Sequence, residues 1–152
     1  MKNSSAFLFL LLTGLMATTA CSKKDAAPTA TTMIVFGILN ASQETPPTAS
    51  KATGTCTGAY DKTTKLLTYT VTYSGLTPTI GHFHIGAPGV KGPVSLPFPY
   101  NNSTKTGFVS PITASATLTA RQDSALLHNA FYANLHSEAY PGGEIRANLT
   151  TK

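Results

Sequence analysis

The sequence predicts an all-β fold, an antiparallel, Greek-key-like β-sandwich carrying one short helix. Only 11% of the 152 residues are charged, against roughly 25% in an average soluble domain, so the polar share falls to Thr, Ser, Asn, Gly and Pro. Branched Thr loses rotamer freedom in a helix and packs well on a pleated surface. From residue 33 onward the chain breaks into short alternating apolar runs bounded by turn residues, the pattern of a sandwich or barrel. No internal repeat of about 20–50 residues occurs, which excludes solenoids and propellers. The same low charge excludes a coiled coil, a polyelectrolyte tail and a disordered polar segment.

The first twenty residues stand apart from this pattern. Lys2 precedes an apolar run from Ala6 to Met16, then small residues from Ala17 to Ala20, then Cys21. That order is a secretory signal with its cleavage region. The run is about half the roughly 20 residues that cross a bilayer core, so no permanent span is expected there. A Cys directly after small residues resembles a bacterial lipobox, although Thr18 stands where such boxes usually carry Leu. An ordinary secretory signal with an incidental Cys is the alternative. The lipobox reading makes residues 1–20 a lipoprotein-type signal peptide and Cys21 the lipid attachment site. Residues 21–32, small, polar and Pro-containing, become a flexible tether, and residues 33–152 the domain. The protein is then exported and lipid-anchored to a bacterial membrane, on the periplasmic or cell-surface side.

The formal charge is +5, yet Lys and Arg are scattered singly, and nucleic acid is not an expected partner. With Cys21 acylated, Cys56 has no partner in the chain and no internal disulfide is expected. Its alternating surroundings, residues 53–58, make it a buried thiol, and nothing basic lies nearby in sequence to activate it.

The elements follow in order. Met33 to Asn40 is apolar on both faces and suits a central strand; Asn40 to Pro47 breaks it. Ala52 to Tyr60 is a Gly/Thr strand, and Asp61 to Lys65 a polar turn. In Leu66 to Tyr73, Leu67, Tyr69, Val71 and Tyr73 share one face and Thr68, Thr70 and Thr72 the other. Ile80 to Ile85 is the next strand. The Gly/Pro-rich stretch 86–99 leaves room for one short edge strand, because Pro cannot serve a central ladder. Phe108 to Leu118 is a strand interrupted by Pro111. Thr119 with Gln122 three residues later forms a capping box for a helix over Ala120 to Asn129, with His128 capping its end. Phe131, Ala133 and Leu135 alternate with Tyr132, Asn134 and His136, and Ile145, Ala147 and Leu149 with Glu144, Arg146 and Asn148. These two strands frame the turn Ser137 to Gly143 as a terminal hairpin.

Two stretches concentrate the chemistry. His82 and His84 flank Phe83, and a period of two puts both imidazoles on one face of a strand. His136, on the polar face of the hairpin, is a third donor for a Zn or Cu ion, with Glu138 and Glu144 as nearby carboxylates. The competing reading has these histidines bonding backbone groups and bracing the Gly/Pro loop. In Tyr140-Pro141-Gly142-Gly143-Glu144-Ile145-Arg146, Pro141 sets φ and the glycines permit positive φ, while Glu144 and Arg146 point to one side. They either complete a site with His136 or form a structural polar brace, a role suited to the rigid donor fork of Arg. No nucleophile elbow, Walker loop, dinucleotide fingerprint or His-Glu-x-x-His helix is present, and no catalytic constellation is expected.

In this order the motifs are similar to those of the chordin (CHRD) domain family. The matching stretches are Leu39 to Pro47, Gly54 and Gly58, Leu67 to Val71 with Ser74-Gly75-Leu76, and His82 to Pro88 with Gly92-Pro93-Val94. Tyr132 to His136 and Tyr140 to Arg146 complete them. The resemblance covers nearly all of residues 35 to 150. The chain departs at Ala147, where the family usually has Gly, and at Phe83, usually Ile or Val. The resemblance implies one all-β domain of the kind found in exported bacterial proteins and repeated in animal chordins, which bind bone morphogenetic proteins. That animal role does not carry over to a single copy without Cys-rich modules. The His-x-His strand is also loosely similar to copper/zinc superoxide dismutase sandwiches, an analogy of architecture alone. The expected function is a non-catalytic binding or structural module of the cell envelope, with an unknown protein or small ligand as partner. The alternative is a metalloprotein holding Cu or Zn through His82, His84 and His136.

Overall fold

The computed structural model describes residues 31–105 and 107–152. The signal peptide, Cys21 and nearly all of the tether lie outside the described residues. The strands are β1 (Thr32–Asn40), β2 (Thr53–Asp61), β3 (Leu66–Ser74), β4 (Ile80–Ile85), β5 (Val94–Pro97), β6 (Ile112–Thr117), β7 (Phe131–His136), β8 (Ile145–Asn148) and β9 (Thr150–Thr151). A one-turn 3-10 helix at Ala41–Gln43 follows β1, and the helix α1 (Ala120–Leu127) precedes β7.

All pairings are antiparallel, and one hydrogen-bonded path runs β5-β4-β7-β8-β1-β2-β3-β6, with β9 also on β1. The all-β expectation with one helix holds. The two layers of the sandwich are halves of a single curled sheet, joined where Asn40 of β1 meets Arg146 of β8. Curling brings β3 against β4: the ring of Tyr69 lies edge-on to Phe83 at 4.8 Å, and Phe98 packs on both. Closing the halves buries Val35, Leu39, Leu67, Val71, Phe83, Leu135, Ile145 and Leu149 completely.

Local sequence explains the elements. On β3, Leu67, Tyr69 and Val71 are buried while Thr68 and Thr72 are exposed, the outcome of strict alternation. β1 is central, between β2 on one side and β8 and β9 on the other, but only its Val35 and Leu39 row enters the core. Its second apolar row faces outward, with Ile34, Phe36 and Ile38 66%, 45% and 53% exposed. Cys56 is fully buried opposite Gly37 and Val71, and burial pushes its thiol up to about 12. The Thr119–Gln122 capping box is present, and α1 ends at Leu127, two residues early. His128 caps it, with ring and backbone nitrogens on the Ser124 carbonyl, and Asn129 turns to φ 56°. β5 and β6 are the two edges of the path, the second starting just after Pro111.

The polar face of β7 differs from a solvated strand face. Tyr132, Asn134 and His136 are as buried as Phe131, Ala133 and Leu135 on the other side. Loop residues 86–92 and the segment 44–48 are folded over that face, as the contacts of Gly92, Val90 and Thr45 described below establish.

Candidate metal centre

β4 and β7 pair with Ile80 opposite His136, His82 opposite Asn134 and His84 opposite Tyr132. Phe83 is drawn into the core, and the period of two then turns His82 and His84 to the opposite face, beside His136. The ring centroids lie 5.5 Å apart for His82 and His84, 5.3 Å for His82 and His136 and 6.2 Å for His84 and His136. One ligating nitrogen from each ring lies within 4.8 Å of the other two. His84 and His136 are buried; His82 is partly so.

Two loop carbonyls set the orientation of the rings. His84 Nδ1 lies 3.1 Å from the Gly92 carbonyl oxygen and His136 Nδ1 3.0 Å from that of Pro141. A carbonyl only accepts, so each Nδ1 carries the proton and donates, which leaves Nε2 of both rings with a bare lone pair. Those two Nε2 atoms and His82 Nδ1 are buried with no hydrogen-bond partner. Burial is the main force holding all three imidazoles below their ordinary pKa, taking His82 down to about 4, with the neighbouring rings adding to the effect on His82. The result is three neutral nitrogen donors, two of them fixed by outer carbonyl bonds, the arrangement that orients imidazoles toward a metal.

A stack of planar groups stands behind His84. Tyr132 lies parallel to it, 4.8 Å between centroids and 5° between planes, and the Arg146 guanidinium carbon sits 3.5 Å from the centre of the Tyr132 ring. The Tyr132 hydroxyl accepts from the Gly92 backbone N–H at 3.1 Å. Gly92 is required here, because a Cβ would stand 1.7 Å from the Ile85 carbonyl oxygen.

Glu144 and Arg146 are both buried and are engaged with different partners. The Glu144 carboxylate accepts from the hydroxyls of Ser50 (2.6 Å) and Ser137. Arg146 donates to the carbonyls of Val90 (3.0 Å) and Ala87 (2.9 Å), to Thr45 Oγ1 (3.3 Å) and to Asn148 Oδ1 (2.9 Å). Arg146 thereby ties β8 to the loop that supplies the Gly92 carbonyl. Glu138 is exposed, and neither it nor Glu144 belongs to the histidine cluster.

Glu44, Lys91, Gly92, Tyr132 and Asn134 also belong to this neighbourhood; all but Lys91 lie in the stretches that carry the family resemblance, and none of the five is among the site residues read from the sequence. For Tyr132 and Asn134 the signal was available, since both share the His136 side of an alternating strand. Glu44 and Lys91 lie in loops, where no periodicity marks them. Glu44 is buried; desolvation raises its carboxyl pKa against the opposing pull of the Thr45 N–H and the Arg146 charge. Beside the histidines, a cavity of about 440 Å³ opens between Glu44, Pro46, Lys91, Tyr140 and Pro141.

The family model of the CHRD domain matches residues 35–149. No curated protein and no solved structure matches the chain.

Proposed function

The chain belongs to the CHRD-domain family, and from that membership we propose an exported binding module, lipid-anchored through Cys21, whose working site is a transition-metal centre of His82, His84 and His136. Family membership supports a binding or structural role in general. The metal reading rests on one cluster: each of the three imidazoles places a ring nitrogen within 4.8 Å of the other two, and each has a buried ring nitrogen with no hydrogen-bond partner. An unpartnered buried polar atom is costly, on the order of 1–3 kcal/mol each, and the bare Nε2 atoms of His84 and His136 have no donor. A cation with vacant orbitals satisfies all three rings. Imidazole suits copper and zinc alike.

Protein purified without an affinity tag and exposed to Cu and Zn is expected to retain one equivalent of metal, read by elemental analysis after gel filtration. His82→Ala, at the partly exposed member of the cluster, is expected to abolish retention while leaving the circular dichroism unchanged. Absence of bound metal in the wild type would return the histidines to bracing the loop through their Gly92 and Pro141 bonds. For the anchor, Cys21→Ser is expected to move the protein from the membrane to the soluble fraction. If it stays in the membrane fraction, lipidation at Cys21 is wrong.

A further inference from the structure

Resting on the three-histidine reading, we propose that the site selects monovalent copper, Cu(I), over Zn(II) and Cu(II). Ligand type does not decide among these ions, because imidazole accepts them all; charge does. The cluster contains three neutral donors and, among the described residues, no carboxylate or thiol joins it. The charged groups that act on it are cations. The Arg146 guanidinium lies one ring behind His84, on the face of Tyr132, and Lys91 directly precedes Gly92, whose carbonyl holds the His84 ring, so that its charge opposes a positive charge on His84 and His136. Arg146 spends its donors on the Val90 and Ala87 carbonyls, Thr45 and Asn148, none of them a carboxylate. Two buried carboxyls lie in the neighbourhood without joining the cluster: Glu44, whose pKa desolvation raises against the pull of the Arg146 and Lys91 charges, and Glu144, held by the Ser50 and Ser137 hydroxyls.

A divalent ion entering this site meets twice the repulsion from Lys91 and Arg146 that a monovalent ion meets. Its desolvation cost scales with the square of the charge, about four times that of a monovalent ion of similar size. Zn(II) takes a fourth ligand, such as a water, which has to be held beside the partly exposed His82. Cu(I) is satisfied by three nitrogens and brings a single charge.

The test uses the full chain, stripped of metal, under anaerobic conditions. Cu(I) is titrated against bicinchoninate, and Zn(II) and Cu(II) against chromophoric chelators. The expected result is one equivalent of Cu(I) bound at least about ten-fold more tightly than either divalent ion. Lys91→Glu, at an exposed position, then strengthens Zn(II) binding by roughly the square of the factor by which it strengthens Cu(I) binding. Zn(II) or Cu(II) bound as tightly as Cu(I), or equal factors for the two ions in the variant, overturns the selectivity and leaves the metal centre standing. No metal held by the wild type, or metal held equally by His82→Gln and His136→Gln, overturns the centre itself.

Discussion

Asp123, in the first turn of α1, accepts from the Tyr60 hydroxyl at 2.5 Å and from the Lys65 ammonium. The Lys65 bond first, and the Tyr60 bond second, hold its carboxyl below the ordinary value of 3.8. The unfolded chain therefore takes up this proton at higher pH than the folded one. Stability from the contact is complete above the unfolded value and is lost as pH falls through 3.8 toward the folded value. Asp123→Asn is expected to lower stability at pH 6 and to flatten the decline below pH 4, read from urea midpoints across the pH range. An acid limb as steep as that of the wild type would show that other carboxylates carry it. Residue-scale chemistry of this kind was out of reach of the sequence. Lys65 and Tyr60 stand 58 and 63 positions from Asp123, and only the packing of α1 onto the sheet brings them together.

At the scale of elements, the strands and the helix were legible because their causes are local. Alternation set the buried row of β3, and the Thr119–Gln122 pair marked the start of α1. The loops were not legible, because what holds them is distant. Arg146 on β8 reaches Ala87 and Val90, 59 and 56 positions away, and Thr45, 101 away. Its planar fork serves several acceptors at once, which the single ammonium of Lys does not reproduce. Arg146→Lys is expected to destabilise the protein by at least about 1.5–3 kcal/mol, the worth of one hydrogen bond to a charged group. Hydrogen exchange should speed up at residues 86–92. A variant as stable as the wild type, with unchanged exchange there, would remove Arg146 from its bracing role.

Across the whole molecule, one residue joins the core to the candidate centre. Phe83 is fully buried, contacts Tyr69, Phe98 and Phe131, and stands between His82 and His84. Phe83→Ala should cost about 3–5 kcal/mol in urea unfolding and weaken metal retention as well, since β4 loses the anchor that turns both histidines to the other face. Loss of stability with full retention would separate the two roles. The all-β architecture, the helix and the pairing of His82 with His84 were written in neighbouring residues, because periodicity and capping depend on side chains a few positions apart. The meeting of that pair with His136 came from the antiparallel register of β4 and β7. The aim of the bare nitrogens came from carbonyls on two loops that close over the sheet. Those carbonyls lie only 8 and 5 positions from the rings they hold, but how the loops fold over the sheet, and the meeting of segments some fifty positions apart, are set by how a curled sheet buries its apolar rows, and no local pattern encodes that.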